Sequence, residues 1–126
     1  MADRAKARAA AENMLTAHPD LAGFFGSSEP STTGASLAVR GRGLAGKVKV
    51  VAFDASDNLV ADMRDGVIQA MVVQDPFKMG FEAVRTVVDK LNGKTPPRRI
   101  DLSAVAIFAE DANKPEYQRL LSPELK

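Results

Sequence analysis

The run from Lys47 to Phe53 constrains the fold of this chain more than any other segment. Five of its seven residues are apolar, and the run stops at Asp54. A strand with one solvated face alternates apolar and polar residues, whereas a nearly continuous apolar strand is typical of a parallel sheet covered on both faces by helices. The run therefore predicts an α/β fold with a polar residue where the strand ends.

The rest of the chain alternates in the same way between short apolar runs and helix-length segments. The clearest helix begins at Phe77, where apolar residues recur at spacings of four and three through Leu91. Such alternation indicates parallel βαβ units with right-handed crossovers, in a Rossmann-like parallel sheet of about four strands flanked by helices. The other helices are predicted at about 4–16, 31–40, 58–64 and after Pro115, and the strands at 21–26, 47–53, 67–73 and 104–108.

Charge and composition narrow the possible partners. The 17 basic and 16 acidic residues nearly cancel, so the chain has no field that would gather nucleic acid or an anionic membrane. No apolar segment has the length of a membrane span or signal peptide. With no cysteine and one histidine, disulfides and thiolate metal sites are excluded and few metal ligands remain, so we expect no metal and no cofactor.

Polar residues follow three of the predicted strands. Ser28 and Glu29 follow the first strand, Asp54 the second and Gln74 the third. Ligands of open parallel sheets bind at the carboxyl ends of the strands. A carboxylate accepts two hydrogen bonds, and an amide both donates and accepts, which suits the hydroxyl groups of a sugar. The alternative is that these residues only cap the following helices, a role that we favour for Ser56 or Asp57.

Catalysis is not expected. The only histidine, His18, precedes Pro19 at the predicted end of a helix. Neither the Gly-x-Ser-x-Gly pattern of a serine nucleophile nor a phosphate-binding Walker loop is present. A receiver domain phosphorylated at Asp54 would have an acidic pair near its beginning, and this chain lacks that pair. We therefore predict a binding protein without catalytic residues.

Across nearly the whole chain, several segments resemble the ribose-binding family of periplasmic sugar-binding proteins. These are His18-Pro19-Asp20-Leu21, Val51-Ala52-Phe53-Asp54, Val73-Gln74-Asp75-Pro76 with Gly80, and the tail from Glu110 to Gln118. The resemblance implies that Asp54 and Gln74 bind sugar hydroxyls. Many members have Asn-Asp where this chain has Ser28-Glu29, so the substrate need not be ribose.

The same resemblance implies that the chain is incomplete. Members of this family are about twice as long and have two lobes that close on the ligand. Residues 1–75 would form part of the ligand-binding lobe, and residues 76–126 would form a crossover helix, a strand and a tail that return to the other lobe. Incomplete sheets expose edges and apolar faces, so we expect either a homodimer or a four-stranded single domain with the last strand docked on it.

The function predicted from these observations is that of the substrate-binding component of a bacterial ABC-type sugar transporter, or a fragment of it, with a monosaccharide as ligand. An ABC permease is the expected partner in the full-length context. Such a protein works in the periplasm or outside the cell, although without a signal peptide the chain would be cytoplasmic if Met1 is its natural start. The alternative is a ligand-sensing or dimerisation module of a repressor-like regulator that does not retain sugar binding.

Overall fold

The computed structural model describes residues 3–122, and each helix and strand predicted from the sequence is found there. The elements in chain order are α1 (Arg4–Ala17), β1 (Gly23–Gly26), α2 (Glu29–Gly41), β2 (Lys49–Phe53), α3 (Asp57–Arg64), β3 (Ala70–Val73), α4 (Pro76–Leu91), β4 (Val105–Phe108), a 3₁₀ turn (Ala109–Asp111) and α5 (Pro115–Leu121). None of the helices in this part of the chain is long and apolar enough to cross a membrane.

The chain divides into two compact units, which are described separately. The first unit holds the residues up to Val73 together with those from Val105 onward, and the second holds residues 74–104. The assignment of residues 76–126 to a segment that returns to the other lobe of the full-length fold stays a prediction. The strand near Val105 lies in the first unit because it pairs with β3 along its whole length.

The sheet of the first unit has the strand order β1-β2-β3-β4. The first three strands are parallel, with Phe24 beside Val50 and Ala52 beside Met71. The fourth strand is antiparallel to β3, so the sheet is mixed and not wholly parallel as expected. Helices α2 and α3 are the crossovers between neighbouring parallel strands.

Local signals in the sequence account for where these helices begin. The Asp3 carboxylate accepts hydrogen bonds from the backbone N–H groups of Ala5 and Lys6, at 2.8 and 3.2 Å, and so begins α1. Ser56 begins α3 by accepting from the backbone N–H of Leu59 at 3.4 Å. Of the two caps considered for α3, Ser56 is therefore the one whose side chain makes the capping bond.

One face of the sheet carries the core. Val50, Ala52, Met71 and Ile107 have almost no solvent exposure and pack with buried residues of the surrounding helices. Those helical residues are Ala11, Leu15, Ala35, Ala38, Val39, Leu59, Val60, Met63 and Leu121. Two successive right-handed crossovers between adjacent strands place both crossover helices on the same face. The core is consequently one-sided.

The opposite side of the sheet, which we call the open face, carries Gly23, Phe25, Lys49, Val51, Phe53, Ala70, Val72, Ala106 and Phe108. These residues alternate with the core residues along the strands, and none belongs to the core cluster. Phe25 is 62% exposed and Phe108 54% exposed. Within the first unit taken by itself, helices therefore cover one face of the sheet.

The second unit consists of α4 and the extended segment that follows it. Asp75 begins α4 by accepting from the backbone N–H of Lys78 at 3.0 Å, and Gly93, at φ 80°, follows its end. The helix contains no buried residue. Its predicted apolar stripe is solvent-exposed, and we call Phe81, Val84, Val88 and Leu91 the α4 stripe. A shallow hollow is lined by other α4 residues, including Met79 and Thr86, together with Pro97 and Ile100.

Replacing Gly34 with alanine is expected to destabilise the first unit by about 1–3 kcal/mol, the usual cost of an overpacked contact. Helix α2 lies so close to α1 at this point that an added Cβ would be 2.5 Å from both the Cβ of Ala7 and the backbone nitrogen of Arg8. Urea unfolding followed by circular dichroism measures the change.

Gly41→Ala, in the same helix, is the matched control. Its added Cβ meets only the Arg8 guanidinium, at 3.9 Å. Since alanine favours helix over glycine by about 1 kcal/mol, this variant should be equally stable or slightly more stable. Equal destabilisation by both substitutions would contradict the tight contact at Gly34.

Candidate functional site

The three parallel strands of the first unit end at one edge of the sheet, and this edge is the candidate site. Strand β1 ends at Gly26, β2 at Phe53 and β3 at Val73. Phe53 is paired with Val72, so Asp54 lies level with Val73, and its backbone N–H donates to the Val72 carbonyl at 2.9 Å. Asp54 thus extends the parallel ladder by one hydrogen bond.

Asp54 has an unusual backbone conformation. Its φ of 68° makes it the only non-glycine residue with a positive φ in the described part of the chain. Left-handed backbone costs a residue with a side chain about 1–2 kcal/mol, although aspartate tolerates it better than most. Strained backbone concentrates at ligand-binding positions. The conformation thus marks this strand end as a candidate binding position.

The carboxylate of Asp54 is half-buried, and within residues 3–122 it makes no hydrogen bond or ion pair. It does not cap the helix that follows, because Ser56 performs that function. The alternative interpretation of Asp54 as a helix cap is therefore wrong. A half-buried acceptor without a partner is available to a ligand.

Ser28 and Glu29 make contacts within the first unit instead. The Ser28 N–H donates to the Ser31 hydroxyl at 3.0 Å, and the two hydroxyl oxygens are 3.1 Å apart. The Glu29 carboxylate accepts from Arg4 at 2.8 Å and from the Thr33 hydroxyl at 3.0 Å, with 19% of its side chain exposed. Both residues fix the beginning of α2, and ligand contact by either stays a prediction.

Gln74 follows β3 directly and is the first residue of the second unit. Its side chain is exposed, and its amide makes no hydrogen bond within the described residues. An amide in this state retains two donors and one acceptor for a ligand. Gln74 is therefore chemically suited to bind sugar hydroxyls. Ligand contact by Gln74 stays a prediction.

Thr32 is a residue of this edge that the sequence analysis missed. It is fully buried, and its hydroxyl donates toward the carbonyl oxygens of Gly26, at 3.3 Å, and Ser28, at 3.0 Å. These bonds hold the end of β1 against the first turn of α2. Thr32 belongs to no sequence motif. Its place in the first turn of a predicted helix is the only signal in the sequence for such a role.

The polar side chains of this edge suit a ligand with hydroxyl groups. In residues 3–122 no group of three or more histidine, aspartate or glutamate side chains is arranged to hold a metal ion. Asp54 offers acceptors only, while Gln74 offers both donors and an acceptor. Hydroxyl groups of a ligand suit either side chain taken by itself.

Residues 1–95 match the model of a family described as the periplasmic binding protein domain. The chain is 34% identical over 96 residues to the D-ribose/D-allose-binding protein of Pseudomonas aeruginosa, covering 76% of this chain and 30% of that protein. It is 31% identical over 98 residues to the ribose import binding protein of Bacillus subtilis, covering 78% of this chain and 32% of that protein.

Solved structures show the same relationship in three dimensions. An ABC transporter solute-binding protein from Agrobacterium vitis, bound to α-D-tagatopyranose, superimposes with a TM-score of 0.91 at 30% identity, covering 94% of this chain and 40% of that one. A second solute-binding protein from the same organism, with bound D-fucose, superimposes with a TM-score of 0.88 at 32% identity. The match covers 95% of this chain and 41% of that one. The chain thus spans about a third of the length of these sequence relatives and about two-fifths of the length of the chains in these structures.

Proposed function

The chain belongs to the periplasmic binding protein family, and we propose that it forms part of the substrate-binding component of a bacterial ABC sugar transporter. The ligands named for its relatives, among them ribose, allose, tagatose and fucose, are all monosaccharides. A monosaccharide is therefore the ligand class that we propose. In the full-length context, the partner would be an ABC permease and the location periplasmic or extracellular.

The observation that carries this proposal is the unpaired Asp54 carboxylate at the end of β2. Its backbone is held in a left-handed conformation, and its N–H is engaged with Val72. The backbone that carries the carboxylate is therefore held in place, while the carboxylate itself makes no hydrogen bond or ion pair within residues 3–122. A charged acceptor of this kind forms short, strong hydrogen bonds with sugar hydroxyls.

The other candidate contacts follow from the same chemistry. Gln74 would donate to one hydroxyl and accept from another, as its free amide allows. Ser28 and Glu29 would contribute only by giving up or sharing their present bonds to Ser31 and Arg4. We therefore rank Asp54 and Gln74 above Ser28 and Glu29 as ligand contacts.

A sugar titration tests this proposal. We expect the melting temperature of the protein to rise with at least one member of a panel of pentoses and hexoses. Asp54→Asn should weaken binding of that sugar about 10- to 100-fold, because a hydrogen bond to a charged group contributes about 1.5–3 kcal/mol. Asparagine accepts positive φ as aspartate does, so the fold should be kept. Isothermal titration calorimetry measures the affinity.

Asp57→Asn is the matched control, since Asp57 is an exposed carboxylate only three residues away, in the first turn of α3. It should bind the sugar as the unmodified chain does. Equal weakening by both variants would point to a general loss of charge instead of a contact by Asp54. Absence of any sugar-induced shift across the panel would refute sugar binding by this chain.

A further inference from the structure

Two buried hydroxyl groups lie on the inner side of α2, and one of them is bonded to the edge that carries the candidate site. Within residues 3–122, the buried polar side chains are those of Thr32 and Ser36, one helical turn apart. We propose that Thr32 is a positioning residue for sugar binding, because its hydroxyl holds Ser28 in place at the end of β1. This inference rests on the proposed function and adds to it a residue that does not touch the ligand.

The turn from β1 into α2 is short and lies beside Asp54. Strand β1 ends at Gly26 and α2 begins at Glu29, so two residues connect them. Gly26 pairs with Ala52, two residues before Asp54, which places this turn and Asp54 at the same edge of the sheet on adjacent strands. A displacement of the turn would therefore move Ser28 relative to Asp54.

The Thr32 hydroxyl links the helix to the strand end. It lies 3.3 Å from the Gly26 carbonyl oxygen and 3.0 Å from the Ser28 carbonyl oxygen. The Ser28 carbonyl also accepts from the Thr32 N–H and from the Ser31 hydroxyl, both at 2.9 Å. Those two donors are enough for the two lone pairs of a carbonyl. The Thr32 hydroxyl is therefore the donor that can be shared with the end of β1.

The strand end and the helix approach each other closely enough for this bond to set their separation. A Cβ on Gly26 would lie 2.6 Å from the Thr32 Cα and 2.7 Å from the Thr32 backbone nitrogen. Ser28 belongs to the same turn of helix, since its N–H donates to the Ser31 hydroxyl at 3.0 Å. A ligand-binding group must be held within about 0.5 Å of its productive position. Thr32 holds Ser28 to that precision from inside the first unit.

Thr32→Val tests this restraint without any ligand. Valine keeps the branched shape of threonine and lacks its hydroxyl. Amide hydrogen exchange of Ser28 should become about fivefold faster, the equivalent of one lost hydrogen bond. Ser36→Ala is the matched control, because the Ser36 hydroxyl is equally buried and donates to Asp62, near the end of α3. It should leave the exchange of Ser28 unchanged.

Sugar affinity is the second measurement, made by isothermal titration calorimetry with D-ribose, D-allose, D-tagatose and D-fucose as the first probes of the panel. Thr32→Val should weaken binding about fivefold or more, whereas Thr32→Ser, which keeps the hydroxyl, should bind within about twofold of the unmodified chain. Ser36→Ala should bind normally, although it loses stability as Thr32→Val does. In a Ser28→Ala background, Thr32→Val should cause no further loss of affinity, because Thr32 acts through Ser28.

The outcomes separate this inference from the proposed function. If the unmodified chain binds sugar and Thr32→Val binds it equally well, the positioning role is overturned and the proposed function stands. The same holds for an equal loss of affinity in Thr32→Val and Ser36→Ala, or for an undiminished effect of Thr32→Val in the Ser28→Ala background. Faster exchange of Ser28 in Thr32→Val, with no binding of any sugar of the panel, would refute the proposed function and leave Thr32 with a purely structural role.

Discussion

Ile107→Ala should lower the free energy of unfolding of the first unit by about 2–5 kcal/mol, the usual cost of emptying a core position. Ile107 lies in the middle of β4, has no solvent exposure and pairs with Met71, which is equally buried. Shortening it to alanine removes apolar contacts and leaves a cavity between the sheet and its helices. A loss of this size is a large part of the total stability of a small domain.

Ile100→Ala is the control for this prediction. The substitution is chemically identical, but Ile100 is 40% exposed and lies in the second unit. It should change the stability of the first unit by less than about 0.5 kcal/mol. Both variants are measured by urea unfolding at the same protein concentration. Equal effects would mean that β4 is not part of the core of the first unit.

Gly26→Val should destabilise the first unit by about 3 kcal/mol or more, at the upper end of the cost of overpacking. Strand β1 ends at Gly26 directly against the first turn of α2. A Cβ at this position would clash with the Thr32 hydroxyl oxygen and lie 2.6 Å from the Thr32 Cα. The hydroxyl can rotate away, but the Cα belongs to the helix backbone, so the strand end and α2 must separate.

The effect of Gly26→Val is measured by urea unfolding against Ser27→Val, which introduces the same side chain one residue later. Ser27 is exposed, so its variant should stay within about 0.5 kcal/mol of the unmodified chain. Movement of the β1 end should also displace Ser28 relative to the sheet, which predicts weaker sugar binding for Gly26→Val alone. Unchanged stability in Gly26→Val would contradict the close approach.

The sequence predicted the helices and strands well but not the direction of the last strand. The runs that became β2 and β3 are apolar enough to identify as buried strands, and the spacing from Phe77 to Leu91 identified α4. Nothing in residues 104–108 distinguishes a parallel from an antiparallel strand. The spacing of apolar residues in α4 does not identify the surface against which they pack, because an apolar stripe indicates only that a partner surface exists.

The position of the candidate site at the strand ends could be predicted from the sequence, and its contacts with a ligand stay predictions. Asp54 was located by its place at the end of an apolar run, which the structure confirms. Its left-handed backbone and its unpaired carboxylate are tertiary properties. The bond from Glu29 to Arg4 joins residues 25 positions apart in the chain. The spacing of residues in the sequence does not predict an ion pair between such distant positions. In the sequence, Glu29 was therefore indistinguishable from a free carboxylate at a strand end.

The pairing of Val73 with Val105 has a consequence for how this chain can be rebuilt. These two residues face each other across adjacent antiparallel strands, so their Cα atoms are only about 5 Å apart. Topologically, residues 74–104 are an insertion at the tip of a β-hairpin. A two-residue turn spans the same gap. Residues 74–104 can therefore be exchanged for another segment at the hairpin tip without interrupting the four-stranded sheet or its two crossover helices.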